Sequence, residues 1–197
     1  IRSLVASLDD TEGQLSVSGD VTFASLEGRL DGQWQSLSWP MEGEPQFTSP
    51  EGRFDVTGSM EQFKANLSTE LDGAAIPEGQ WSASLDGSST ALNDFTVQGE
   101  TLEGTLTVSG VASWEDQPTW DVDVVTDGIN PGAQWQDFPG SIDLELSSEG
   151  QVSETGPQLV ADINRLSGRF RAQPLSGGGQ IRLDGENLSI DDLNVTH

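Results

Sequence analysis

A period of two governs this chain. In the stretch 102–114, Leu102, Gly104, Leu106, Val108, Gly110, Ala112 and Trp114 take the even positions, and polar residues take the odd ones until Val111. Alternation of this kind puts one greasy and one wet face on an extended strand. The unit Gly-x-apolar-x-apolar-x-Gly returns at Gly13–Gly19, Gly52–Gly58 and Gly179–Gly185. No window of about 11 residues carries a helical period, and the abundance of Gly and β-branched residues also opposes helix. The sequence therefore predicts an all-β chain with roughly 14 strands of about 6 residues.

Two architectures satisfy one-sided strands separated by polar turns: a closed sandwich or barrel, and an open sheet folded lengthwise. Composition and the placement of glycine favour the second. Hydrophobic residues make up 34% of the 197, and 23 glycines supply much of the remaining apolar count while burying little surface. A thin, one-sided core follows. The repeated glycines within the greasy register also suit a bent sheet. The expectation is one long, curved antiparallel sheet folded lengthwise into a groove with an apolar interior, a single unit over 1–197.

Along the chain the alternation takes in Leu4, Ala6 and Leu8, then Leu15 to Phe23, then Leu26 to Trp34. Pro40, Pro45 and Pro50 mark 35–52 as an edge, turn or loop. Pro174 and the run Gly177-Gly178-Gly179 are expected to break the chain again. The positions predicted to line the groove are Leu15, Val17, Leu30, Phe54, Val56, Phe63, Leu67, Trp81, Leu85, Phe95 and Val97 in the first half. In the second half they are Leu106, Val108, Trp114, Trp120, Val122, Ile142, Leu144, Ile163, Phe170, Ile181 and Leu183. Such a lining suits acyl chains, since each CH₂ moved from water is worth about 0.8 kcal/mol without any specific hydrogen bond.

Chemistry is hard to find. The net charge is −25, from 33 acidic and 8 basic residues, which repels nucleic acid and anionic membrane surfaces. There is no cysteine, so disulfides and thiolate metal sites are excluded. The one histidine, His197, is terminal, and nucleophile–base pairs therefore lack a base. Carboxylate pairs such as Asp9-Asp10, Asp121/Asp123 and Asp191-Asp192 lie at turns or wet strand faces and read as solvation. Gly177–Gly179 precedes a strand, not a helix, which argues against a phosphate loop. No enzyme, cofactor or metal is expected. The first residue is Ile1, so the stretch is read as a fragment whose anchor or export signal lies outside it.

Several segments in order resemble the C-terminal part of the TamB family, relatives of the AsmA-like proteins. They are Trp34-Gln35-Ser36-Leu37-Ser38-Trp39-Pro40, Ser49-Pro50-Glu51-Gly52, Gly104-Thr105-Leu106 through Gly110 to Trp114, and Trp120. Beyond these come Asn130-Pro131-Gly132 with Trp135, Phe138-Pro139-Gly140, and 166–175. The resemblance implies a lengthwise-folded β-sheet, the "β-taco", in the periplasm, anchored in the inner membrane through an N-terminal helix absent here. It implies an outer-membrane barrel partner, TamA, and as cargo phospholipid acyl chains or nascent outer-membrane protein strands. The role implied is outer-membrane protein and autotransporter assembly and phospholipid transport between the membranes. The strong acidity departs from the family pattern and suggests a salt-tolerant source. The competing readings are a structural, adhesive or carbohydrate-binding β-module with a closed core, and a glycoside hydrolase with two facing carboxylates.

Overall fold

The computed structural model describes residues 6–7, 13–22, 27–40, 44–74, 76–153 and 156–196. The alternation expected at Leu4, Leu8, Phe23 and Leu26, the carboxylate pair Asp9-Asp10 and His197 lie outside them. The chain forms two compact units, Ile1–Ser89 and Thr90–His197.

The first unit holds β1 (Ala6–Ser7), β2 (Gln14–Thr22), β3 (Glu27–Trp39), β4 (Phe47–Gly58), β5 (Phe63–Leu71) and β6 (Gly79–Gly87). Each strand pairs antiparallel with the next in sequence. The second unit holds β7 (Ala91–Thr101), β8 (Gly104–Ser113), β9 (Thr119–Ile129), β10 (Gly140–Ser153), β11 (Gly156–Phe170), β12 (Gln173–Asp184) and β13 (Asn187–Thr196), again a simple meander. Among the described residues neither unit pairs its first strand with its last, so neither closes there as a barrel. The one helical turn described is the 3₁₀ segment Pro131–Ala133. The all-β expectation is met.

Strand length departs from expectation. Apart from β1 the strands run from 9 to 15 residues, because glycines inside the alternation bend strands without ending them. The segment 159–172, whose alternation slips a step at 164–165, falls mostly within one long strand, β11. The run Gly177–Gly179 does not break the chain: it lies within β12, at a register shift against β13. Pro174 also sits in β12, before the point where β13 begins to pair at Ser176, so its missing N–H leaves no ladder bond unmade. Pro50 lies inside β4, opposite Ser36. The ladder skips that pair, and Ser36 takes φ 53°.

Two hairpins turn on residues that carry no turn signature. Leu102 and Glu103 have φ of 50° and 63°, and Arg171 and Ala172 have 48° and 67°. Positive φ at both central residues is the two-residue hairpin turn whose twist matches that of the strands. Sequence reading looks for Asn-Gly or Asp-Gly there and misses both.

In the second unit, bulges re-aim the strands. The β9–β10 register shifts between Ile142 and Leu144. The gap is closed by Thr126, whose hydroxyl donates to Ile142 O at 3.2 Å and accepts from Leu144 N at 3.0 Å, and by Asp143, which accepts from Gly128 N at 2.8 Å. A second irregularity at Asn164 and Arg165 is stitched to β10 by Asn164 Nδ2 donating to Ser147 Oγ at 3.2 Å. Arg165 pairs there with Glu145 at 2.6 Å.

Glycines opposite aromatic residues set the packing. Trp34 faces Gly52, Phe54 faces Gly32 and Trp120 faces Gly150. In each case a Cβ on the glycine would run into the ring. The rings lie across the neighbouring strand because nothing projects from it. Gly150→Val is expected to destabilise the fold by about 1–3 kcal/mol by overpacking against Trp120 and Gln158 O. A lowered urea midpoint with unchanged slope checks it.

Candidate binding face

Antiparallel partners share a face, so the ladders show which predicted residues come together. In the first unit one cross-strand row is Leu15, Trp34, Gly52, Thr69 and Trp81. The next is Val17, Gly32, Phe54, Leu67 and Ala83, followed by Gly19, Leu30, Val56, Ala65 and Leu85. Phe63 stands in the row of Val21, Gly28, Gly58 and Gly87. Every predicted position of this unit lies on one face.

The second unit repeats the arrangement. Leu92, Ala112, Trp120, Gly150, Leu159 and Leu183 form one row, and Phe95, Gly110, Val122, Ser148, Ala161 and Ile181 the next. Then come Val97, Val108, Val124, Leu146 and Ile163, followed by Gly99, Leu106, Thr126, Leu144 and Leu166. Ile142 and Phe170 continue the face beyond them. Trp114 is the exception: it falls just past the end of β8, 46% exposed, with its N–H donating to Thr90 O.

This face is not a closed core. Among the described residues Ala161 is the only buried hydrophobic, and no large side chain is fully buried. Apart from Trp114 and Leu67, the predicted lining residues are all half-buried. Their flanks are covered by neighbours in the same sheet, and their tips are open. A closed sandwich would bury such side chains between two sheets, so the closed-core reading has no core to stand on among the described residues.

Polar atoms within the face are satisfied internally. Trp34 Nε1 donates to Ser49 Oγ at 2.7 Å, and that hydroxyl, on a residue only 6% exposed, lies 2.8 Å from Thr69 Oγ1. Trp120 Nε1 likewise donates to Ser148 Oγ at 3.3 Å. The indole N–H groups thus ask nothing of a ligand, and the face offers surface without direction.

The opposite face is polar and crowded with acid. Asp31 stands directly across from Asp55, and Asp121 from Glu149. Like charges placed so cost stability, a cost that solvent exposure keeps small. Arg29 hydrogen bonds to both oxygens of Asp31, at 3.0 and 2.9 Å, and this holds the Asp31 carboxyl below its ordinary value. Hollows occur here too. One of about 560 Å³ is lined by Gln14, Ser16, Gln33, Arg53, Ser68 and Gln80 beside Trp34 and Thr69. Another of about 750 Å³ is lined by Val111, Asp121, Glu149, Val160 and Arg182 together with the Leu92–Leu183 row. Neither is lined by the apolar rows alone, since a twisted sheet is concave along one diagonal on each side. Among the described residues no group of His, Cys, Asp and Glu would hold a metal ion.

A family model described as "TamB, N-terminal domain" matches residues 5–197. The chain belongs to the TamB family. The "Translocation and assembly module subunit TamB" of Haemophilus influenzae is 24% identical over 145 residues, which is 72% of this chain and 11% of that protein. The chain thus spans about a tenth of the length of that curated TamB. No solved structure matches it. The matching model corrects one reading: the segments taken to resemble the C-terminal part of TamB lie in a region that the family describes as N-terminal.

Sequence reading left out Leu146 and Leu166, although both keep the alternation and share rows with predicted residues. It also left out the serines that cap the tryptophans. Ser49→Ala, which strands the Trp34 indole N–H, is expected to lower stability by about 1–3 kcal/mol, and Ser148→Ala by about 1 kcal/mol. Urea titration followed by tryptophan emission measures both.

Proposed function

We propose that this TamB-family segment is a periplasmic carrier surface whose half-exposed apolar face holds the acyl chains of phospholipids in transit between the inner and outer membranes. The observation that carries the reading is the pair of one-sided sheets. Row after row of Leu, Val, Ile, Phe and Trp shares a face, and nothing among the described residues seals it. A chain of about 16 carbons lying on such a face with half its surface covered would gain roughly 6 kcal/mol. That is enough to hold a lipid and weak enough to let it move from row to row.

The match to a translocation and assembly module subunit supports a place in outer-membrane assembly, alongside a TamA-like outer-membrane barrel. The same matching supports an inner-membrane anchor elsewhere in the full-length protein; no helix among the described residues is long and apolar enough to cross a membrane. The reading assigns the chain no catalytic step. Its residues act by presenting surface, by capping their own polar atoms and by keeping the opposite face wet and charged.

The test is mass spectrometry of solvent-extracted protein together with the Leu106→Asp and Leu144→Asp variants. Both residues stand in one row of the second unit. The parent chain is expected to release phospholipid, and each variant several-fold less, while the far-ultraviolet circular dichroism of the sheet is kept. In cells, Leu106→Asp in the full-length protein is expected to impair outer-membrane assembly. Normal assembly and full lipid retention in that variant would falsify the carrier reading.

A further inference from the structure

We propose that the β11–β12 turn is a binding site for the phosphate of an anionic phospholipid whose acyl chains lie on the apolar face of the second unit. This rests on the carrier reading above. Phe170 is the last residue of β11 and belongs to the apolar face. Its ring stacks on Phe138, centroids 6.3 Å apart, and Phe138 is 45% exposed. The Arg171 guanidinium lies over both rings, 5.1 Å from the centroid of Phe138 and 5.7 Å from that of Phe170. The apolar face therefore ends in an aromatic pair with a cation resting on it.

The cation is held in place. Arg171 Nε donates to Asp137 O at 3.0 Å, and its backbone N–H donates to Pro139 O at 2.7 Å. Arg169, two residues earlier, donates from Nη2 to Ala172 O at 3.1 Å. A guanidinium has five N–H donors in its plane, and each of these two uses one within the protein. The donors left over on each group are available to an oxyanion, and a phosphate fits a guanidinium in bidentate fashion.

Charge makes the arrangement unusual. Acidic residues outnumber basic ones 33 to 8. Among the described residues Arg29, Lys64, Arg165 and Arg182 each pair with a carboxylate. Arg53, Arg169 and Arg171 have no carboxylate partner, and the last two belong to one hairpin, Arg169 at the end of β11 and Arg171 in the turn. Arg171, held over the rings in so acidic a chain, lacks a counterion that an anion would supply. The exposed Phe138, continuous with the apolar face, selects a lipid over free phosphate. The headgroup would sit at the rim, and the chains would run inward past Ile142 toward Leu144 and Leu166.

The experiment titrates the intact chain with dioctanoyl phosphatidylglycerol, with dioctanoylglycerol and with inorganic phosphate. It follows tryptophan emission and the arginine Nε–Hε resonances. Phosphatidylglycerol is expected to bind roughly tenfold tighter than the uncharged diacylglycerol. The Arg171 resonance is expected to shift with the former and not with the latter. In R169Q/R171Q that difference is expected to vanish while diacylglycerol affinity is kept. Equal affinity for the two lipids in the parent chain overturns the headgroup site and leaves the carrier reading standing. So does an Arg171 resonance that stays still at saturation, a measurement that needs no variant to fold. Displacement by inorganic phosphate as effective as by the lipid overturns the lipid assignment. Binding of neither lipid overturns the carrier reading and the site with it.

Discussion

Everything in this protein depends on cross-strand registry between strands that alternate. A ladder fixes which residue stands beside which, and a side-chain period of two then assigns each residue to one of two faces. A slip of one residue in any strand would turn its Leu and Val tips to the wet side. Because the strands are long and each pairs with its neighbour in sequence, the assignment passes unbroken across each unit. The outcome in each unit is a face of Leu, Val, Ile, Phe and Trp rows with no second layer of its own over it.

Such a face must still be a stable surface. Lateral packing supplies part of the stability: each half-buried side chain leans on neighbours in its own row and in the rows above and below. Glycine supplies another part. Gly32, Gly52 and Gly150 leave gaps into which Phe54, Trp34 and Trp120 lay their rings, so aromatic surface is covered by backbone instead of by an opposing sheet. Serine hydroxyls then satisfy the indole N–H groups from the same strand. The face is self-contained in its polar bonding and incomplete only in its apolar contacts.

The polar side answers a different need. Half-open apolar sheets invite association with one another. A face that sets Asp31 against Asp55 and Asp121 against Glu149 gives up some stability to repulsion between like charges. Against that background the few arginines stand out by position. Arg29 and Arg165 neutralise their neighbours. Arg171 lies on aromatic rings at the end of the apolar face, with no carboxylate to neutralise.

The all-β fold, the one-sided face and nearly every lining residue were legible in the sequence, because alternation depends only on local backbone geometry. Leu15 through Leu183 took their places by parity alone. The Ser49 and Ser148 caps, the aromatic rings laid over glycine, the turns at Leu102-Glu103 and Arg171-Ala172, and the passage of β12 through Gly177–Gly179 were decided only by the tertiary structure. Each depends on which residue of a neighbouring strand stands opposite, and that is a matter of register and bulges, not of local preference. The division into two compact units and the union of Phe138, Phe170 and Arg171 have the same origin. They bring together residues far apart in the chain, about whose meeting a period of two says nothing.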